Sequence, residues 1–265
     1  GTGAWGSDHG CMVAAAAGDD LVFIAGLGAE AGNGLFAVNE QGEKVWTVKD
    51  AGADLLAYAD GTLYAYRATS SWNPLGLADT GVMRFDAKTG AWLNIISPDG
   101  KPVKRLNLLS AEESKVEKTK LPGPAGDQKK RLLSGFAANA AGLYLSVPDK
   151  NVVRAFDRET FKLKREYALA GAGALFAPNA KSLLVATPAG LQRLNLVDGK
   201  TAVLVDGDFG AATAITANKK NIWVAFGEPT PQVRVFSAKG KPVRTIGNPE
   251  GCARNGFYNP NDGFY

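Results

Sequence analysis

Val82-Met83-Arg84-Phe85-Asp86-Ala87-Lys88-Thr89-Gly90 is the stretch on which the reading of the fold turns. An apolar strand ends in an aromatic anchor, an acid follows, and a Gly-containing turn comes next. A short Asx or Ser side chain in that place accepts the local backbone N–H bonds that start a turn. The same pattern recurs at Leu35-Phe36-Ala37-Val38-Asn39, Val153-Arg154-Ala155-Phe156-Asp157, Leu191-Gln192-Arg193-Leu194-Asn195 and Val233-Arg234-Val235-Phe236-Ser237. The anchors Val38, Phe85, Phe156, Leu194 and Phe236 are spaced by 47, 71, 38 and 42 residues.

Working outward, a strand rich in aromatic and β-branched residues precedes each copy. These are Leu21-Val22-Phe23-Ile24, Leu63-Tyr64-Ala65-Tyr66, Leu143-Tyr144-Leu145, Leu183-Leu184-Val185 and Ile222-Trp223-Val224. A further strand and turn stand before them, as in Leu55 to Ala59 ahead of Asp60-Gly61. A fourth strand follows each turn, at 44–48, 91–95, 163–168, 201–205 and 242–246. The unit is therefore four short antiparallel strands in about 40 residues, repeated five times. One such sheet cannot bury both faces, so the units pack face to face, which predicts an all-β β-propeller. A β-sandwich is the alternative, but it requires no such period. Ala111 to Lys120 is the one weak helix candidate.

Phe85-Asp86-Ala87-Lys88-Thr89-Gly90 resembles the turns that close the third and fourth strands in the broad superfamily of NHL, YncE-like and quinoprotein-like propellers. Asn255-Gly256-Phe257-Tyr258-Asn259-Pro260-Asn261-Asp262-Gly263 looks like the loop and first strand that open an NHL blade. The chain is also similar to propeller segments of large secreted bacterial proteins. The resemblance covers nearly all of the chain outside 97–131 and implies the fold. It places no sugar-dehydrogenase or quinone site here. Residues 1–265 read as a single propeller domain with five complete blades and the start of a possible sixth. Either the tail closes a five-bladed ring, or the chain is a piece of a larger propeller.

The composition suits a globular protein, with 45% apolar and 21% charged residues. The net charge of +4 is local. Nine basic residues and five acids fall between Ser97 and Arg131, a stretch without an aromatic. Single-strand nucleic-acid surfaces interleave aromatics with their cations, so this insertion reads as a mobile solvated loop, with no nucleic-acid partner expected. No apolar run approaches the roughly 20 residues that span a bilayer, so no membrane insertion is expected. Cys11 and Cys252 sit near opposite ends, which suggests a disulfide joining the termini; two unpaired thiols are the alternative. The start at Gly1 reads as a processed or trimmed end.

Chemistry is expected on the loops joining strands two to three and blade to blade, which share one face of a propeller. Arg67 is placed to clamp a carboxylate or phosphate, and Trp72 to stack on a sugar or aromatic face. Glu30, Asp79 and Asp208 are the carboxylates that an acid–base mechanism would draw on, and Glu228 lies in the Pro-containing stretch 226–232. Asp206-Gly207-Asp208 offers oxygen ligands but too few for Ca²⁺, and His9 is the sole imidazole. Nucleophile elbows, P-loops, zinc motifs and dinucleotide fingerprints are all missing from the sequence. These features point to a non-catalytic extracellular or periplasmic propeller that binds a protein or glycan partner, with membership of a larger assembly as a further expectation. No cofactor and no metal are expected. The alternative is a carbohydrate-active lyase or hydrolase with a carboxylate site on the loop-rich face.

Overall fold

A computed structural model describes residues 10–28, 34–49, 51–67, 81–97, 99–110, 112–113, 135–226 and 232–247. The described chain is all-β and forms five four-stranded antiparallel blades of the β-propeller kind. Blade 1 comprises β1 (Gly10–Gly18), β2 (Leu21–Gly28), β3 (Gly34–Val38) and β4 (Lys44–Lys49). Blade 2 comprises β5 (Leu55–Ala59), β6 (Thr62–Arg67), β7 (Gly81–Asp86) and β8 (Trp92–Leu93), after which β9 (Ile95–Ile96) and β10 (Pro102–Val103) form a separate hairpin. Blade 3 holds β11 (Gly135–Asn139), β12 (Gly142–Val147), β13 (Val152–Phe156) and β14 (Leu163–Ala168). Blade 4 holds β15 (Leu175–Asn179), β16 (Ser182–Thr187), β17 (Gly190–Asn195) and β18 (Thr201–Val205). Blade 5 holds β19 (Ala212–Ala217), β20 (Asn221–Phe226), β21 (Gln232–Ser237) and β22 (Pro242–Ile246). Two compact units result, one with blades 1 and 2 and the segment Asp157–Lys162, the other with the rest of blades 3, 4 and 5.

Burial explains why the second strands are the most apolar. In β12 and β16 every residue is buried, because both faces of the strand meet neighbouring sheets. The fourth strands β4, β14 and β22 are mostly exposed and carry the charged residues. In the first unit Phe23, Ala25 and Leu35 of blade 1 pack on Leu63, Met83 and Phe85 of blade 2. In the second, Val153 and Tyr167 meet Leu183 and Leu194, and Leu184 and Leu191 meet Ile222 and Phe236. Truncating such a buried aromatic to Ala costs about 3–5 kcal/mol.

The turn after each anchor is built as its sequence implies. The Asp86 carboxylate accepts the Thr89 N–H at 2.8 Å and the Thr89 hydroxyl at 2.7 Å. Asp157 accepts the same two donors of Thr160 at 2.8 and 3.1 Å. Gly90, Gly199 and Gly240 close their turns with φ of +72°, +79° and +82°. A side chain there would also strike the preceding blade: a Cβ on Gly90 would lie 2.8 Å from the Trp46 ring, and one on Gly240 would collide with the Leu204 carbonyl. Beside these turns, outer-strand side chains reach across to the next blade. Trp46 Nε1 donates to the Ala87 carbonyl at 3.0 Å, Tyr167 Oη to Leu196 at 2.8 Å, and Arg165 to Val197 at 2.9 Å.

The basic insertion departs from expectation at its start. The fourth strand of blade 2, expected over 91–95, pairs only through Trp92 and Leu93. The chain then makes the β9–β10 hairpin and returns, and Leu106 bonds Val82 through both backbone groups at 2.8 and 3.0 Å. Leu108, Leu109 and Glu113 are buried. Ser110 and Glu113 exchange side-chain-to-backbone bonds at 2.9 and 3.2 Å, a capping box. Residues 99–110 are thus an ordered part of the first unit rather than a solvated loop, because the edge of β7 needs a partner that the two-residue β8 does not supply. The helix expected over 111–120 falls largely outside the described residues, as does the remainder of the insertion to Arg131.

Candidate functional site

Of the residues singled out in the sequence, Glu30, Trp72, Asp79, Glu228, Cys252 and His9 lie outside the described residues. Cys11 falls in β1, where its backbone pairs with Leu27, and the Cys11–Cys252 pairing lies outside them too. Arg67 ends β6 and is 7% exposed; Asp54, which precedes β5, is 6% exposed and donates its N–H to the Tyr66 carbonyl at 2.8 Å. Two ionisable side chains are therefore sunk at the strand ends from which the 68–80 connection leaves. Asp208 is an exposed turn residue whose Oδ1 accepts the Gly210 N–H at 2.7 Å. Among the described residues, no three His, Cys, Asp or Glu side chains converge as a metal site would need. No described helix is long and apolar enough to cross a membrane.

The second unit contains a feature that the sequence reading missed. A cleft of about 390 Å³ opens between the outer strand of blade 4 and the outer pair of blade 5. Val205, Asp206 and Phe209 form one wall; Arg234, Pro242 and Thr245 contribute to the other. Two of its lining residues, Phe209 and Phe236, are aromatic and almost fully buried, packed with Phe226 behind them. Phe209, 2% exposed, has its ring centre 5.8 Å from both Phe226 and Phe236. The Arg234 guanidinium lies over the Phe226 ring at 4.3 Å, a cation–π contact that fixes the charge beside that ring. Arg234 and Arg244 line the cleft against the single carboxylate of Asp206, so the lining carries one net positive charge.

Register shows how this junction differs from the one between blades 3 and 4. In blade 3, Arg165 pairs with Ala155 and Tyr167 with Val153, and both side chains reach onto the turn of blade 4. The same two stations in blade 4 hold Ala202, opposite Arg193, and Val205, opposite Leu191. In blade 1 the first of these stations holds Trp46, opposite Ala37. In blade 4 the Gly240 turn is met instead by Leu204, unpaired at the bulge and packed on the core shared with blade 5, while the stations at Ala202 and Val205 carry smaller side chains than Arg165, Tyr167 or Trp46. The signal is present in the sequence, but it emerges only once the five fourth strands are aligned by pairing partner. Bulges between the third and fourth strands shift that alignment by a residue, at Ala37/Val38 and Ala155/Phe156 but at Leu191/Gln192 in blade 4.

No protein-family model matches this chain, and no curated protein sequence matches it. Solved structures do. The chain is similar to one in a nidogen/laminin complex, with 13% identity and a TM-score of 0.57 over 88% of this chain and 79% of that one. A chain of a mitotic checkpoint complex matches with 13% identity and a TM-score of 0.52 over 92% of this chain and 68% of the other. Against the computationally designed Ika8 protein the TM-score is 0.47 at 12% identity, and the chain spans 62% of that protein's length. The nidogen/laminin and checkpoint likenesses show the fold, which agrees with the blades described above.

Proposed function

We propose that this chain is a non-catalytic binding propeller that holds a protein partner, acting outside the cytoplasm as one component of a larger assembly. The observation that carries the reading is the pre-formed, partly apolar cleft of the second unit, with a guanidinium fixed at its wall. Preorganised walls lower the ordering cost of association, which is how a rigid scaffold gains affinity without a large interface. The two structural neighbours come from complexes of several proteins, which favours a protein over a small substrate. Within propellers, the Phe85–Gly90 turn supports the NHL, YncE-like and quinoprotein-like group. The extracytoplasmic setting rests on the reading of Cys11 and Cys252 as a disulfide pair.

The competing carbohydrate-active reading draws on Glu30, Asp79 and Asp208; the described one, Asp208, is exposed and engages one carboxylate oxygen with its own turn. Two measurements separate these readings. Native mass spectrometry of protein isolated from its natural source is expected to show a stoichiometric complex with another polypeptide. Reducing-end release from a polysaccharide panel is expected to stay at background. Turnover by the wild type that disappears in Asp208→Asn would overturn the proposal.

A further inference from the structure

The cleft of the second unit contains an internal comparison that identifies what it lacks. Arg154 in β13 and Arg234 in β21 occupy the same station, two residues before the anchors Phe156 and Phe236. Arg154 pairs across the sheet with Glu166, and its Nε donates to that carboxylate at 2.8 Å. Arg234 pairs across the sheet with Thr245, which has no charge to offer. Arg234 makes no ion pair among the described residues; its guanidinium rests on Phe226 instead. A cation held against an aromatic ring and partly withdrawn from water gains more from a carboxylate than an exposed one does.

We propose that the cleft between β18 and β21–β22 binds an acidic, extended segment of a protein partner, whose carboxylate side chain meets Arg234 as Glu166 meets Arg154. This rests on the binding reading above and specifies its surface and chemistry. Charge selects the occupant: the lining, with Arg234 and Arg244 against Asp206, carries one net positive charge, which a carboxylate of the segment paired with Arg234 would neutralise. Shape selects an extended chain. One wall is β22, the last strand of its sheet, and extended peptides lie along such edges with alternate side chains directed into pockets. The apolar side chains of the segment then rest on Val205, Pro242 and Val243.

The probe is a fluorescein-labelled peptide of alternating valine and glutamate, read by anisotropy, with the valine–glutamine peptide as its control. The wild type is expected to bind the glutamate peptide and to bind the glutamine peptide about tenfold or more weakly, as a charge-assisted hydrogen bond predicts. Arg234→Gln is expected to lose the same factor. Thr245→Glu places a carboxylate opposite Arg234, as in blade 3, and is expected to remove glutamate-peptide binding while keeping the thermal midpoint at or above wild type. Val205→Tyr adds bulk to the cleft wall and is expected to weaken both peptides.

Equal binding of the two peptides, unchanged affinity in Arg234→Gln and Thr245→Glu, or no binding by wild type would overturn the proposal. So would displacement by free glutarate as effective as that by unlabelled peptide, since the site would then be a small-carboxylate pocket. The parent reading fails separately, through the mass and turnover measurements, so a native complex that survives Thr245→Glu would sink the cleft assignment alone.

Discussion

Phe161 occupies the turn position that Gly90, Gly199 and Gly240 hold in other blades, with φ of +55°. The equivalence is set by hydrogen bonding, since Phe161 N–H closes on Asp157 as Gly90 N–H closes on Asp86. An L residue pays about 1–2 kcal/mol in the left-handed region. Phe161 recovers that by burial: its ring meets Tyr64 edge-on at 6.5 Å and lies 5.9 Å from the Arg84 guanidinium. Beside it Arg84 pairs with Glu159 at 3.1 Å, and Arg158 with Asp60 at 2.8 Å. Phe161→Gly is therefore expected to destabilise by about 2 kcal/mol, the loss of a buried aromatic outweighing the relief of strain. A urea titration reads this as a lower midpoint with an unchanged slope; a higher midpoint would show that strain dominates. Asp86 makes a prediction in pH. The hydroxyl of Thr89 first, and then its N–H, hold the Asp86 carboxyl below the ordinary carboxylate range. A depressed folded value means that the stabilisation is present above the unfolded value of roughly 4 and fades as pH falls through the folded one. The difference in urea midpoint between wild type and Asp86→Ala is expected to hold from neutral pH to about 5 and to shrink below about 4.

Elements carry the repeat, and the fourth strand is where the repeats diverge. Tyr167→Phe removes the donor to the Leu196 carbonyl while keeping the ring, and is expected to cost about 1 kcal/mol. A cost near zero would mean that the ring alone fills that station. The five copies of the anchor strand and its turn were legible because aromatic periodicity and Asx turns are local chemistry. Asp86–Thr89 and Asp157–Thr160 bond as their spacing implies. The split outer strand of blade 2 was not legible. Ile95 read as its last residue, and only the pairing of Ile95 and Ile96 with Val103 and Pro102 shows that it belongs to a hairpin. The cleft was hidden for a related reason: the small size of Ala202 and Val205 at their paired stations has meaning only beside Trp46, Arg165 and Tyr167. Among the candidate site residues, Arg67 was named from its loop position, but its burial with Asp54 depends on packing that spacing does not reveal.

At the scale of the whole molecule, five blades of one design differ in what their outer edges offer. Within the second unit the Arg165 and Tyr167 stations seal one junction with a cation and a phenol; at the next, Leu204 packs against the Gly240 turn, and the cleft opens beside the smaller Val205. Rigid repetition with one smaller outer station suits a binding surface, because the scaffold is already ordered when the partner arrives. Hydrogen exchange read by mass spectrometry, on the full chain with and without the valine–glutamate peptide, tests this most directly. Added protection concentrated in 201–207 and 232–246 is the result expected, and it should vanish in Thr245→Glu. Protection spread evenly over the chain, or confined to blades 1 and 2, would contradict it.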